Sequence, residues 1–376
     1  MLDELRDTPE VLYGAAIALL VVVLLTPAVG GMARLLGAVD RPGEDGRRLH
    51  RRPVPRLGGL AIFLGIVVPS LAFLDLSGEM RGVLLGAAVA CVVGAVDDFR
   101  GLAPAPKLGG QVLAASIPCA FGVWIDHFTF PFVGAVDLPA GVGVPLTVLW
   151  IVAVMNMVNF LDGMDGLASG VCAIAGLTFA ILALSLGKTD AAILSAVVAG
   201  ACIGFLRHNF FPARIFMGDS GALVLGFTLA TVSISGLLKT ASTVVLFLPL
   251  LVLAVPIIDT SFVVARRLKY RQPISSPDRS HLHHRFMSIG FGQRRAALTM
   301  WAWTASLGAA ALATRFIPFR EGGSWHAGET FAVAAIALAA LAFSVYVVYL
   351  LEIVKLASPL VRRRRNGETE EERLSA

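Results

Sequence analysis

The chain contains 376 residues, of which 56% are hydrophobic and 15% are charged, and its mean hydropathy is +0.78. Soluble domains carry about 25% charged residues, so this composition excludes a soluble globular protein and indicates an integral membrane protein. The formal net charge of +5 does not indicate nucleic-acid binding, because the basic residues are concentrated beside apolar segments, where they contact anionic lipid.

Eleven apolar segments follow one another along the chain, each close to the roughly 17–25 helical residues that cross a hydrocarbon core. They are predicted at 11–28, 57–75, 81–96, 108–123, 144–160, 167–187, 190–206, 220–238, 241–265, 297–315 and 330–354. The predicted fold is therefore an all-α polytopic membrane protein with about eleven transmembrane helices. Between the fourth and fifth segments, residues 124–143 include aromatic and β-branched residues that could form a small extracytoplasmic β-hairpin.

The distribution of basic residues predicts the orientation. Of the 31 lysines and arginines, 25 lie in alternate loops and the tail, at 29–56, 97–107, 156–166, 206–219, 266–296 and after 354. Because such residues are retained in the cytoplasm, we expect the N-terminus outside and the C-terminus inside. Residues 1–355 are predicted to form one membrane-embedded catalytic domain, and residues 356–376 a disordered cytoplasmic tail.

Clusters of carboxylates occupy two of these loops. Asp97 and Asp98 are adjacent at a helix end, where mutual repulsion makes one of them a candidate proton acceptor or metal ligand; a helix cap is the structural alternative. Asn159, Asp162 and Asp165 lie among glycines, which permit tight turns and close approach of a ligand. A calcium loop fits poorly there, because no bidentate glutamate follows at the required distance.

Two further loops carry oxygen ligands and basic groups. Asp219 falls at the start of a helix, where it either caps that helix or binds Mg²⁺, an ion that takes only one or two protein carboxylates. Residues 278–285 include three histidines and two arginines. Zinc is disfavoured because thiolate partners are missing, whereas guanidinium and imidazolium groups suit phosphate oxygens.

Acids for one metal ion, basic groups for phosphates and glycines for close approach are the parts that phosphoryl transfer needs, since its catalysis is mostly positioning and charge neutralisation. The active-site loops are predicted at 29–56, 97–107, 156–168, 206–221 and 266–296. An enzyme of this kind without an inserted soluble domain implies one lipid substrate and one cytosolic substrate.

Five segments in this order resemble the polyprenyl-phosphate N-acetylhexosamine-1-phosphate transferases (glycosyltransferase family 4). These enzymes move a sugar 1-phosphate from a UDP-sugar to a polyprenyl phosphate and release UMP. The resemblance covers nearly the whole chain and is carried by Pro53–Gly59, Asp97-Asp98, Asn159–Ala168, Phe216–Gly221 and His281–Arg285.

The form of two motifs resembles one branch of that family. Pro-Val-Pro-Arg-Leu-Gly-Gly at 53–59 and Asp-Arg-Ser-His-Leu-His-His-Arg at 278–285 are similar to the branch that transfers N-acetylglucosamine 1-phosphate. The alternative branch, the phospho-N-acetylmuramoyl-pentapeptide transferases of peptidoglycan synthesis, typically shows Thr-Pro-Thr-Met-Gly-Gly and an uninterrupted run of three histidines.

The resemblance implies roles for individual residues. It implies that Asp219 binds Mg²⁺, or Mn²⁺ in its place, with Asn159 as a second candidate ligand. Asp97 would deprotonate the lipid phosphate, and Asp98 would assist it or hold the metal ion. His283 and His284 would neutralise phosphate charge. Substrate binding would fall to Asp162, Asp165, Asn209, Phe216, Arg279, His281, His284, Arg285, Arg51 and Arg52, with Phe216 stacking on uracil.

The resemblance also implies partners and a location. The substrates would be UDP-N-acetylglucosamine and undecaprenyl or decaprenyl phosphate, and the reaction would begin a cell-envelope polysaccharide such as a lipopolysaccharide O-antigen or a teichoic acid. We expect a multi-pass protein of the bacterial inner membrane, surrounded by membrane lipid, with its active site facing the cytoplasm and a homodimeric assembly.

Two alternatives concern mechanism and class. The prenyl phosphate either attacks the UDP-sugar directly or reacts by way of an aspartyl phosphate on Asp97 or Asp98. A transporter or lipid flippase is the rival class, but it should place its polar site near the midplane and show repeated halves. Here the acids are predicted at one surface, and the chain shows no repeat.

One further acid, Asp259, falls inside an apolar segment, seven residues before Arg266. A charge at mid-bilayer costs roughly 2.5–3.5 kcal/mol on insertion scales. We therefore expect Asp259 to face protein or water, in a structural or groove-lining role.

Overall fold

The computed structural model describes residues 2–41, 53–76, 78–130, 134–238, 243–269, 282–321 and 324–351. In this part of the chain the helices are α1 Leu2–Asp7, α2 Glu10–Leu35, α3 Gly58–Phe73, α4 Glu79–Arg100, α5 Pro104–Ala120, α6 Ala140–Leu161, α7 Leu167–Ser185, α8 Thr189–Asn209, α9 Gly218–Ser233, α10 Thr243–Val252, α11 Ala254–Lys269, α12 Leu282–Ser288, α13 Gln293–Phe316 and α14 Ala327–Leu350. A π-helical turn, Ile234–Leu238, continues α9.

Strands contribute three small antiparallel hairpins. They are β1 Val39–Asp40 with β2 Val54–Pro55, β3 His127–Phe130 with β4 Gly134–Asp137, and β5 Arg320–Glu321 with β6 Ser324–Trp325. The β3–β4 hairpin confirms the hairpin predicted between the fourth and fifth apolar segments. It joins the end of α5 to the start of α6, so it lies at the opposite end of these helices from the acidic motifs.

The predicted polytopic helical architecture is confirmed. Eight helices of the described chain are long and apolar enough to cross a membrane: α2, α4, α6, α7, α8, α9 with its π-helical extension to Gly236, α13 and α14. Helix α3 is apolar but shorter. The total of eleven spans and the orientation of the termini remain predictions.

The segment predicted as one span at 241–265 is divided into two helices, α10 and α11, by a break at Leu253. Pro256 explains the break, because its nitrogen carries no hydrogen to donate to the Val252 carbonyl four residues earlier. The helical hydrogen bonds resume on either side, from Leu253 N to Pro249 O (2.9 Å) and from Ile257 N to Leu253 O (3.1 Å).

Helices α7, α8 and α9 form the buried centre of the bundle. In their most apolar stretches 83%, 78% and 83% of residues are buried, against 11% in α14. Small residues allow this close packing: a Cβ atom on Gly200 of α8 would lie 2.1 Å from the Ala15 carbonyl oxygen of α2. Helix α14 instead leaves apolar side chains such as Phe331 and Leu338 exposed, as expected of a helix that faces lipid.

Candidate active site

Four helix ends meet at one end of the bundle and bring polar side chains together. Asp97 lies in the last turn of α4, Lys107 in the first turn of α5, Asn159 in the last turn of α6 and Asp219 at the start of α9. Each falls within a loop or helix end that the sequence predicts to be cytoplasmic. We refer to these four residues as the acid–lysine cluster.

Lys107 is the centre of the acid–lysine cluster. Its Nζ lies 2.8 Å from Asp97 Oδ2, 2.7 Å from Asp219 Oδ2 and 3.2 Å from Asn159 Oδ1. Asn159 Nδ2 donates to the second oxygen of Asp219 at 2.6 Å. Asp97 also accepts a hydrogen bond from the backbone N–H of Leu102. The two carboxylates are thus held around a single cationic group.

The oxygens of the acid–lysine cluster fit a divalent cation chemically. Mg²⁺ prefers one or two carboxylates and completes its coordination with water and substrate phosphates, and Asp219 and the Asn159 amide supply such oxygens. Over the described residues, no group of three or more His, Cys, Asp or Glu forms a metal cage. A cation here would therefore depend on water and substrate for part of its shell.

Asp98 has a different environment from its neighbour Asp97. Its side chain is fully buried and accepts hydrogen bonds from Asp219 N (2.9 Å), Ser220 N (3.1 Å) and Ser220 Oγ (2.8 Å). Arg56 Nη2 lies 3.6 Å away. Asp98 thus satisfies the free N–H groups at the start of α9, as a helix cap supplied by another helix. This geometry favours a role in positioning Asp219 over direct contact with substrate.

Replacing Asp98 by Asn should therefore reduce thermal stability and activity together. The amide would present an NH₂ group towards backbone N–H donors, which leaves buried donors unsatisfied, each at a cost of about 1–3 kcal/mol. Ser220→Ala removes only one hydrogen bond and should cost about 1 kcal/mol. Melting temperature in detergent and kcat would be measured for both variants. An Asp98→Asn protein with unchanged stability and no turnover would instead indicate direct catalysis.

Glycines allow α3, α4 and α9 to meet at this point. A Cβ atom on Gly94 would lie 2.5 Å from the Asp219 carbonyl carbon, and one on Gly59 would lie 1.9 Å from the Gly221 nitrogen. Gly59 N also donates to Met217 O at 2.8 Å. The Pro53–Gly59 motif therefore packs directly against the segment that carries Asp219. This close packing explains why a glycine, which has no Cβ atom, occupies position 59.

The loop between α8 and α9 is held by two of the predicted substrate-binding residues. Asn209 is 1% exposed; its Oδ1 accepts from Gly166 N (3.0 Å) and Ser169 Oγ (3.2 Å), and its Nδ2 donates to Ile215 O (3.0 Å). Asp165 Oδ2 accepts from Ala213 N at 2.9 Å. These contacts tie the loop that carries the half-buried Phe216 to the turn before α7, so both residues hold this loop in place.

Asp162 lies just beyond the end of α6, near the acid–lysine cluster. Burial, followed by the negative charges of Asp219 and Asp98, raises the pKa of Asp162 well above its usual range, while a hydrogen bond from the backbone of Gly218 offsets part of this effect. Asp162 therefore gains a proton more readily than an exposed aspartate.

The remaining predicted residues are placed as follows. Arg285 Nη1 donates to Leu351 O at 3.0 Å, and its guanidinium lies 4.5 Å from the centre of the Phe262 ring. These contacts join it to α14 and α11. The backbones of His283 and His284 lie in α12, but their side chains fall outside what the structure describes, as do Arg51, Arg52, Arg279 and His281.

Lys107 was missed in the sequence analysis, which named Arg51 and Arg52 among the substrate-binding residues instead. A lone lysine in the first turn of a helix is usually solvated, so the residue type alone gives little indication that Lys107 belongs to a functional site. Its position ten residues after Asp97, at the entry to the next apolar segment, was the available indication.

These features define a class: a polytopic membrane protein with a cluster of carboxylates, an amide and a lysine at one end of its helix bundle. Residues 80–237 match the family model "Glycosyl transferase family 4". The chain is 40% identical over 302 residues to a probable undecaprenyl-phosphate N-acetylglucosaminyl 1-phosphate transferase of Bacillus subtilis, covering 80% of this chain and 83% of the relative.

Two more relatives represent the two branches. A decaprenyl-phosphate N-acetylglucosaminephosphotransferase of Mycobacterium leprae is 35% identical, covering 82% of this chain and 84% of the relative. A phospho-N-acetylmuramoyl-pentapeptide-transferase of Desulforudis audaxviator is also 35% identical, covering 77% of this chain and 94% of the relative. The chain belongs to glycosyl transferase family 4, and the 40% identity to the Bacillus protein supports the N-acetylglucosamine branch.

Proposed function

We propose that the protein transfers N-acetylglucosamine 1-phosphate from UDP-N-acetylglucosamine to a polyprenyl phosphate, forming polyprenyl-diphospho-N-acetylglucosamine and UMP. The names of the relatives at 35–40% identity support the substrates. The observation that carries the proposal is the acid–lysine cluster, in which one lysine lies within 2.8 Å of two carboxylates. This arrangement supplies both a proton acceptor and a positive charge at a membrane surface.

In the proposed reaction, Asp97 removes the proton from the lipid phosphate. A phosphate oxygen then attacks the β-phosphorus of the UDP-sugar, and the bond between that phosphorus and the bridging oxygen breaks. The electron pair leaves on the oxygen of UMP, and Lys107 stabilises the added negative charge. Held by the neighbouring backbone and by Lys107, Asp97 is oriented as a base before substrate arrives.

Asp219 and Asn159 would hold Mg²⁺, or Mn²⁺ in its place. When bound, this ion would supply charge neutralisation for the diphosphate. Asp98 fixes the position of Asp219 by binding the backbone at the start of α9. Asn209 and Asp165 hold the loop that presents Phe216 to the uracil. His283 would neutralise phosphate charge from α12.

The same proposal covers the setting of the enzyme. The acid–lysine cluster would face the cytoplasm, where UDP-sugars are found, and the β3–β4 hairpin would lie outside. Residues 1–355 would form one catalytic domain in the bacterial inner membrane, with the N-terminus outside, the C-terminus inside and a homodimeric assembly. The product would start a cell-envelope polysaccharide.

UMP release by the purified full-length protein tests the proposal. The protein would be incubated in detergent with undecaprenyl phosphate, Mg²⁺ and, separately, UDP-N-acetylglucosamine, UDP-N-acetylgalactosamine or UDP-N-acetylmuramoyl-pentapeptide. We expect UMP from UDP-N-acetylglucosamine only, and none without the lipid. Release from the pentapeptide substrate alone would instead assign the peptidoglycan branch.

A further inference from the structure

A buried acid of α11 contacts the start of the helix that carries two histidines. Asp259 is 1% exposed, and its Oδ1 accepts a hydrogen bond from the backbone N–H of Leu282 at 2.8 Å. Leu282 is the first residue of α12 and directly precedes His283. N–H groups in the first turn of a helix have no partner within the helix, so Asp259 supplies one from outside.

A second contact lies one helical turn further along α11. Phe262 follows Asp259 by three residues and therefore lies on nearly the same face of the helix. The guanidinium of Arg285, in α12, packs over the Phe262 ring and donates to the Leu351 carbonyl at the end of α14. Helix α12 is thus attached to α11 at both its first and its second turn, and to α14 by the same arginine.

The chemistry of Asp259 explains why an acid occupies this apolar helix. A carboxylate in an apolar segment is costly to insert and is usually paired or functional. A carboxylate also accepts a stronger hydrogen bond from a backbone N–H than a neutral group does. The hydrogen bond that Asp259 accepts from Leu282 lies directly beside His283.

We propose that Asp259 is a positioning residue that docks α12, and that Arg285 serves the same docking through Phe262 and Leu351. The functional consequence rests on the proposed function, in which His283 meets the phosphates. Neither residue needs to touch substrate: each sets where the His283–His284 backbone lies.

Two substitutions of Asp259 separate docking from direct catalysis. Asp259→Asn keeps an oxygen that can accept the Leu282 N–H, whereas Asp259→Ala removes it. We expect Asp259→Ala to lower kcat by about 10- to 100-fold, the usual effect of one hydrogen bond to a charged group, and Asp259→Asn to stay within about threefold of the wild type. Ser261→Ala, at an exposed position two residues along α11, is the matched control.

Hydrogen exchange measured by mass spectrometry gives a readout independent of activity. In Asp259→Ala, amides of Leu282–Ser288 should exchange at least about tenfold faster, while peptides from α8 stay protected and show that the protein is folded. Asp259→Asn and Ser261→Ala should keep the protection of α12.

Three results would overturn the proposal: unchanged α12 exchange in Asp259→Ala, faster exchange with unchanged kcat, or an inactive Asp259→Asn protein with α12 protected. A wild-type protein that releases no UMP would overturn the proposed function instead, and the exchange data would still decide whether Asp259 docks α12.

Discussion

Replacing Lys107 by Met is expected to lower kcat by about 10²–10³-fold, the usual effect of removing one group that stabilises charge in the transition state. Its ammonium is the only described cation within salt-bridge distance of both Asp97 and Asp219. Without it, two neighbouring carboxylates repel each other and the phosphates meet an uncompensated negative site. Turnover would be followed by UMP release, with melting temperature measured in parallel.

A matched control for this substitution is Lys188→Met, which removes an exposed lysine at the opposite end of α8 from the site. It should leave kcat unchanged. Lys107→Arg keeps the charge but not the compact shape of the ammonium group, so we expect only partial activity. A Lys107→Met protein with kcat within twofold of the wild type would remove Lys107 from the mechanism.

Replacing Asp97 by Asn is expected to lower kcat by about 10²–10⁴-fold, the contribution of a positioned general base. Asparagine keeps an acceptor for the Leu102 N–H but does not take a proton from the lipid phosphate. Because Asp97 is not assigned to the nucleotide, the Kd for UDP-N-acetylglucosamine should change by less than about threefold. Calorimetric titration and UMP release would measure the two quantities separately.

The corresponding control is Asp137→Asn, at an exposed position of β4 beyond the far end of α6, which should behave as the wild type. Near-normal turnover of Asp97→Asn would contradict the assignment of Asp97 as the base. A large loss of UDP-N-acetylglucosamine binding would also contradict it, because it would place Asp97 against the donor.

Hydropathy predicted the helices well because a bilayer demands long apolar helices, and such segments are visible in a single sequence. Each of the eleven predicted segments contains helix in the structure. The break at Leu253 was missed, although Pro256 marked it. An apolar stretch of sufficient length conceals a local break, since hydropathy averages over the residues around it.

The candidate site was predicted in part, since Asp97, Asn159 and Asp219 do come together. The difference between Asp97 and Asp98 could not be predicted, because adjacency along the chain does not show that one carboxylate faces Lys107 while the other caps α9. Lys107 joins the site only through the convergence of four helix ends. Such tertiary contacts leave no periodic pattern in the sequence.

The rival class, a transporter or flippase, predicts a polar site near the middle of the helices. In the described structure the acid–lysine cluster instead lies at the ends of α4, α6 and α9, with α5 beginning beside it. Asp259 lies within α11 instead, and its contact with Leu282 gives it a structural partner. These placements favour an enzyme that works at the membrane surface.

The most direct measurement is a structure of the protein with Mn²⁺ and UDP-N-acetylglucosamine, with the ion located by its anomalous scattering. Our account predicts Mn²⁺ against an oxygen of Asp219, the diphosphate beside Lys107 and the uracil near Phe216. A nucleotide bound between the helices near the middle of the bundle, with no ion at Asp219, would contradict it and support a carrier.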